Sequence, residues 1–146
     1  MCKRLVYSCV NVLPMKWIFI EDNFIDKLIA EKICSQHGVQ ALFYEDPAEA
    51  ILAAQQLLPD VVLLDQFLPG ANCMEVLHQL KAHALLKYIP VYILSAGCTG
   101  TAEEEALQAG AVQWLMKPFN RDYLHLISKK LHGNRAAGHE TVALAD

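Results

Sequence analysis

Pro59-Asp60-Val61-Val62-Leu63-Leu64-Asp65 sets four consecutive branched aliphatic residues between two carboxylates. A run this short and this continuously apolar reads as a strand covered on both faces, the kind found in parallel sheets with helices on either side. Asp65 then marks the carboxyl end of that strand. Working outward, similar runs lie at residues 17–20 and 91–94, and two more strand candidates at 39–44 and 112–116. Strands separated by helical patterns are the signature of βα units.

The intervening helices are announced by capping chemistry. Asp46-Pro47-Ala48-Glu49 offers a cap, a proline suited to the first helical position and a capping-box acid. Asn72 with Glu75, and Thr101 with Glu104, repeat the box. Apolar residues then recur at helical spacing: Ile25, Leu28, Ile29 and Ile33; Ile51, Ala54, Leu57 and Leu58; Val76, Leu77 and Leu80; Tyr123, Leu124, Ile127 and Leu131. The expectation is an α/β fold of five strands and five helices in alternation. Residues 15–131 form the domain, residues 1–14 an N-terminal extension, and residues 132–146, which lack periodicity, a mobile C-terminal tail.

The 146 residues suit one domain, with 54% hydrophobic and 19% charged residues, too apolar for a disordered chain. A net charge of -4 without a basic cluster argues against direct nucleic-acid binding. No apolar run approaches the ~18 residues of a membrane span. Lys3-Arg4 and the apolar stretch after them resemble the start of a signal peptide, but Ser8, Asn11 and Pro14 interrupt it. Five cysteines, Cys2, Cys9, Cys34, Cys73 and Cys98, are odd in number and include no C-x-x-C. They read as reduced thiols of a cytoplasmic protein.

Ligands of open parallel sheets bind beyond the carboxyl ends of the strands. There the sequence places Glu21-Asp22, Asp65, Ser95 and Lys117-Pro118. Two unit charges ~5 Å apart at an effective dielectric of ~20 repel by roughly 3 kcal/mol, so three carboxylates at one rim call for a cation. An all-oxygen ligand set favours Mg²⁺, or Mn²⁺, over zinc or copper. A metal beside a carboxylate, with an ammonium and a hydroxyl for peripheral oxygens, suits phosphoryl transfer. Each residue also has a plainer reading: Asp65 before Pro69-Gly70 as a turn residue, and Glu21-Asp22-Asn23 as a helix cap.

Taken together and in order, Glu21-Asp22-Asn23, the stretch ending at Asp65, Leu68-Pro69-Gly70, Ile93-Leu94-Ser95-Ala96, Ala109-Gly110-Ala111 and Lys117-Pro118-Phe119 resemble the receiver domain of two-component response regulators, the CheY-like family, over residues 16 to 131. The resemblance implies a doubly wound five-stranded parallel sheet of order 2-1-3-4-5. It implies that Asp65 accepts a phosphoryl group from a sensor histidine kinase or histidine phosphotransfer protein. Glu21, Asp22, Asp65 and the backbone carbonyl of Phe67 would hold Mg²⁺, Ser95 and Lys117 would contact phosphoryl oxygens, and the Lys117-Pro118 bond would be cis.

The pattern departs from the family's in Glu21 for the commoner Asp, Ser95 for the commoner Thr, and Trp114 where Tyr or Phe is usual. Trp114 is read as a fixed part of a docking face made by residues 101–109, 112–116 and 120–131. With no output domain expected, the chain reads as a stand-alone receiver that docks an unknown protein target or passes the phosphoryl group on. It is not expected to be an enzyme beyond its own phosphotransfer and dephosphorylation. Two competitors remain: a phosphorylation-independent binding module, and a phosphohydrolase with an Asp nucleophile. The second commonly needs another acid two residues on, where this chain has Phe67.

Overall fold

The computed structural model describes residues 13–97 and 100–143, so most of the expected N-terminal extension, and Cys2, Cys9 and Cys98, lie outside the described residues. The elements run β1 (Lys16–Ile20), α1 (Phe24–Gln36), β2 (Gln40–Tyr44), α2 (Pro47–Leu57), β3 (Val61–Asp65), β4 (Phe67–Leu68), β5 (Ala71–Asn72), α3 (Cys73–Ala82), a 3₁₀ turn (Leu86–Tyr88), β6 (Val91–Ser95), α4 (Ala102–Gln108), β7 (Gln113–Met116) and α5 (Arg121–Ala143). Five strands form one parallel sheet in the order β2-β1-β3-β6-β7. This is the expected 2-1-3-4-5 order, with two numbers taken by a small antiparallel hairpin, β4–β5, that periodicity does not reveal. Its turn is Pro69-Gly70, with Gly70 at φ +69.

Every residue of β3 is buried, as its unbroken apolar run requires. Successive side chains alternate between two separate layers. Ile18, Ile20, Val62, Leu64 and Ile93 pack with Leu77 and Leu80 of α3, whereas Trp17, Phe19, Val61, Leu63 and Tyr92 pack with Leu124 and Ile127 of α5. Asp60 pins the entry to β3, since the Lys16 amide donates to its Oδ2 at 2.8 Å.

Several boundaries and faces differ from expectation. The tail assigned to residues 132–146 is corrected in its backbone, because α5 continues to Ala143. Gly133 and Gly138 cost a helix only ~1 kcal/mol each, and Ala136, Ala137, Glu140 and Ala143 are strong helix formers. On α1 the buried residues are Ala30 and Cys34, whereas Phe24, Ile25 and Leu28 are exposed. Of the expected apolar stripe, Ile33 packs against the core beside the small buried side chains, while Ile25 and Leu28 face outward. Thr101 precedes α4 without a capping bond from its side chain; its hydroxyl lies 2.9 Å from Glu105 Oε1 instead.

Trp114 is also corrected. Only 7% exposed, it is not a surface element of the docking face but part of the α3–α4 core layer. Residue 114 pairs with Ile93 in register, and the small side chains of Ala106 and Ala111 in the same layer leave room for the indole.

Candidate functional site

Four strand ends meet at one rim. Glu21 and Asp22 follow β1, Asp65 closes β3, Ser95 closes β6, and Lys117 follows β7. Glu21, Asp65 and Ser95 are buried, at 3%, 4% and 0% exposure. Backbone ladders fix their heights: the Glu21 amide donates to the Tyr44 carbonyl at 3.0 Å and the Lys117 amide to the Ser95 carbonyl at 2.7 Å. The Lys117-Pro118 peptide is cis.

The helix cap reading of Glu21-Asp22-Asn23 resolves onto one residue. Asn23 caps α1 by accepting from the Asp26 amide, while Glu21 Oε1 accepts from the Asn23 amide at 3.0 Å. The two acids are thereby free to face the rim. Glu21, Asp22 and Asp65 each present a carboxylate oxygen, all within 4.8 Å of one another. Three carboxylate oxygens this close together are a ligand set that one small divalent cation could share. Glu21 Oε2 is buried and faces the Lys117 ammonium at 2.9 Å. Three acids with only carboxylate oxygens to offer, beside one ammonium, are a donor set that fits Mg²⁺.

The charges report the crowding. The Glu21 carboxyl is pushed up to about 7, first by burial and then by its hydrogen bond with Asp65. Burial by itself would lower the Lys117 ammonium, but its bonds to Asp26, Glu21 and Asp65 outweigh that and hold it above the ordinary lysine value. Lys117 Nζ lies 2.8 Å from Asp26 Oδ2, 2.9 Å from Glu21 Oε2 and 3.1 Å from Asp65 Oδ2. The other Asp65 oxygen accepts from the Phe67 amide at 3.1 Å.

The Ser95 hydroxyl is within hydrogen-bond reach of both Gln66 Oε1 and the Gly97 carbonyl, and accepts from the Gly97 amide at 3.1 Å. Its single proton serves one acceptor at a time. A cavity of about 630 Å³ opens beside Asp22, walled by Glu45, Asp46, Pro69, Asn72 and Glu75.

The structure thus brings together Glu21, Asp22, Asp65 and Lys117, sets Ser95 on the adjoining strand, and leaves Trp114 in the core. Sequence reasoning missed Asp26 and Gln66. Asp26, three residues after the Asn23 cap, carries only the signal of an acid in a first helical turn. Gln66 is the residue after Asp65, and nothing in the local pattern marks its bond to residue 95.

The family model of the response regulator receiver domain matches residues 18–129. The phosphate regulon transcriptional regulatory protein PhoB of Klebsiella pneumoniae is 33% identical over 95 residues, 63% of this chain and 42% of that protein. The DNA-binding response regulator MtrA of Mycolicibacterium paratuberculosis is 31% identical over 110 residues, 75% of this chain and 48% of that protein. The chain therefore spans less than half the length of either relative. Among solved structures, the receiver domain of the sensor histidine kinase PA1611 from Pseudomonas aeruginosa superimposes with a TM-score of 0.73 at 25% identity, covering 82% of this chain and 98% of that one. That structure has a magnesium ion coordinated in its active-site cleft.

Proposed function

Because the chain belongs to the response regulator receiver-domain family, we propose that it is a phosphoryl-accepting switch in which Asp65 takes a phosphoryl group from a phosphohistidine of a sensor histidine kinase or phosphotransfer protein. The observation that carries this reading is the Asp65 carboxylate at the end of the central strand, with the Lys117 ammonium at 3.1 Å and two further carboxylates beside it. An Asp65 oxygen attacks phosphorus; the new P–O bond forms as the P–N bond to the donor imidazole breaks, and that nitrogen takes up a proton. Mg²⁺, held by Glu21, Asp22, Asp65 and the Phe67 carbonyl, would offset the negative charge that the incoming group adds. Lys117 binds one peripheral oxygen, and the Ser95 hydroxyl, released from Gln66 or Gly97, donates to another.

The protein is on this reading an acceptor with self-catalysed phosphotransfer and dephosphorylation rather than a turnover enzyme. It signals from the cytoplasm by docking a protein target or by onward phosphorelay, without direct nucleic-acid or membrane contact. Among the described residues no helix is long and apolar enough to cross a membrane. The net charge of -4 disfavours phosphate-backbone binding.

Acetyl phosphate with Mg²⁺ tests the reading. The expected result is a hydroxylamine-labile mass increase of one phosphoryl group in the wild type and none in Asp65→Asn. The variant should melt no lower than wild type, since it removes one carboxylate from a self-repelling set while Lys117 keeps Asp26 and Glu21. Labelling of Asp65→Asn would overturn the assignment; an unlabelled wild type would favour a phosphorylation-independent binding module; sustained turnover would indicate a phosphohydrolase.

A further inference from the structure

Lys117 is committed three times over. Of its three carboxylate partners, Glu21 and Asp65 belong to the rim itself, but Asp26 comes from the first turn of α1 and makes the shortest of the three contacts, 2.8 Å. Asp26 is 27% exposed, against 3% and 5% for the side chains of Glu21 and Asp65, so it approaches Lys117 from the solvent side. Its position is built rather than incidental: the Asp26 amide is the group that Asn23 caps, which fixes the first turn of α1 against the rim.

We propose that Asp26 is a positioning residue that holds the Lys117 ammonium away from the incoming phosphoryl group and so sets how readily the site is phosphorylated. The inference rests on the phosphoacceptor reading above. A peripheral phosphoryl oxygen and Asp26 are alternative partners for one ammonium group. An ammonium has three protons, and in the resting site it has three carboxylate neighbours within 3.1 Å. To bind the phosphoryl group Lys117 gives up one of these partners, and Asp26, which does not join the three-carboxylate cluster, is the one whose loss leaves that cluster intact. A resting site with Asp26 engaged is better paired than one without, and it resists phosphorylation for that reason.

The test measures beryllofluoride affinity by calorimetry and the rate of labelling by acetyl phosphate, both at saturating Mg²⁺, in the wild type and in Asp26→Asn. Because Asp26 is partly solvated, its pair with Lys117 is modest, and the expected gain is about two- to fivefold in both readouts. The metal-free variant should melt at or below the wild-type temperature, so affinity rises while stability does not, a split that damage to α1 could not produce. Asp26→Glu, which restores the carboxylate, should return both readouts toward wild type.

In a Lys117→Gln background the gain from Asp26→Asn should vanish, read by labelling rate where beryllofluoride binds too weakly to saturate. An undiminished gain in that background would mean that Asp26 acts by bulk charge and would overturn the proposal, as would an unchanged or weaker affinity in Asp26→Asn. Failure of the wild type itself to bind beryllofluoride or take label would instead refute the phosphoacceptor reading, which separates the two.

Discussion

At the scale of single residues, burial and charge divide the polar side chains into those that react and those that do not. Asp22 is the rim acid with the most access to solvent, and a site open to water at this one ligand is expected to bind a partly hydrated Mg²⁺ at around the millimolar level. Binding to the folded state alone raises the melting temperature by mass action. Melting curves should therefore move upward with Mg²⁺ in the wild type and stay put in Asp22→Ala; equal shifts in both would remove Asp22 from the metal set. The thiols behave oppositely. Cys34 is wholly buried and its thiol is pushed up to about 12 by that burial, and Cys73 is raised by burial first and by Asp65 second. Burial and a raised pKa both withhold the reactive thiolate, so at pH 8 Ellman's reagent followed by peptide mapping should find Cys34 and Cys73 unmodified until urea is added. The carboxylates, the hydroxyl and the ammonium at the strand ends could be read from the sequence because each closes an apolar run. Asp26 could not, because its partner Lys117 is brought to it only by the tertiary fold, in which α1 packs beside α5, across a separation of 91 residues.

At the scale of elements, the helices show where periodicity succeeds and where it fails. Val76, Leu77 and Leu80 of α3, and Leu124, Ile127 and Leu131 of α5, are buried as their spacing predicts. On α1 and α2 the contact is made by Ala30, Cys34, Ala50 and Ala54, and the larger residues beside them lie partly or wholly outside. Hydrophobicity alone does not distinguish a bulky face from a small one that packs closer. The end of α2 stores a local conflict: Leu58, 54% exposed, sits at φ 47 and ψ 68, a left-handed conformation that disfavours a side chain. Leu58→Gly should raise stability by about 0.5–1 kcal/mol in urea titrations, since the relieved conformation outweighs the small area lost. A loss of stability would show that the partly buried leucine packs more tightly than its exposure suggests.

At the scale of the whole molecule, the sheet divides the buried hydrophobic residues among those described into two separate layers. The alternation within each strand, legible in the sequence, is what creates that division. The strand order that carries it across the sheet follows from crossovers rather than from any local pattern, and was legible only through the resemblance of the motifs taken in order. Ile93 lies in one layer and Ile127 in the other, both wholly buried. Ile93→Val and Ile127→Val should each cost about 0.5–1.5 kcal/mol. The double variant should lose the sum to within about 0.5 kcal/mol. A larger departure from additivity would show that the sheet transmits packing changes from one side to the other.

The outer strands of that sheet carry a consequence for behaviour in concentrated solution. Among the described residues, β2 and β7 are the margins of the sheet, each with one row of backbone amides and carbonyls that faces no further strand, a template on which another copy could add one. Both rows are short, five and four residues, and both end against proline: Glu45-Asp46-Pro47 follows β2, and Lys117-Pro118 follows β7. Proline has no amide proton to extend a ladder, and the flanking charges repel a like copy. The residues that punctuate the strands therefore also guard the protein against strand-by-strand aggregation at either margin.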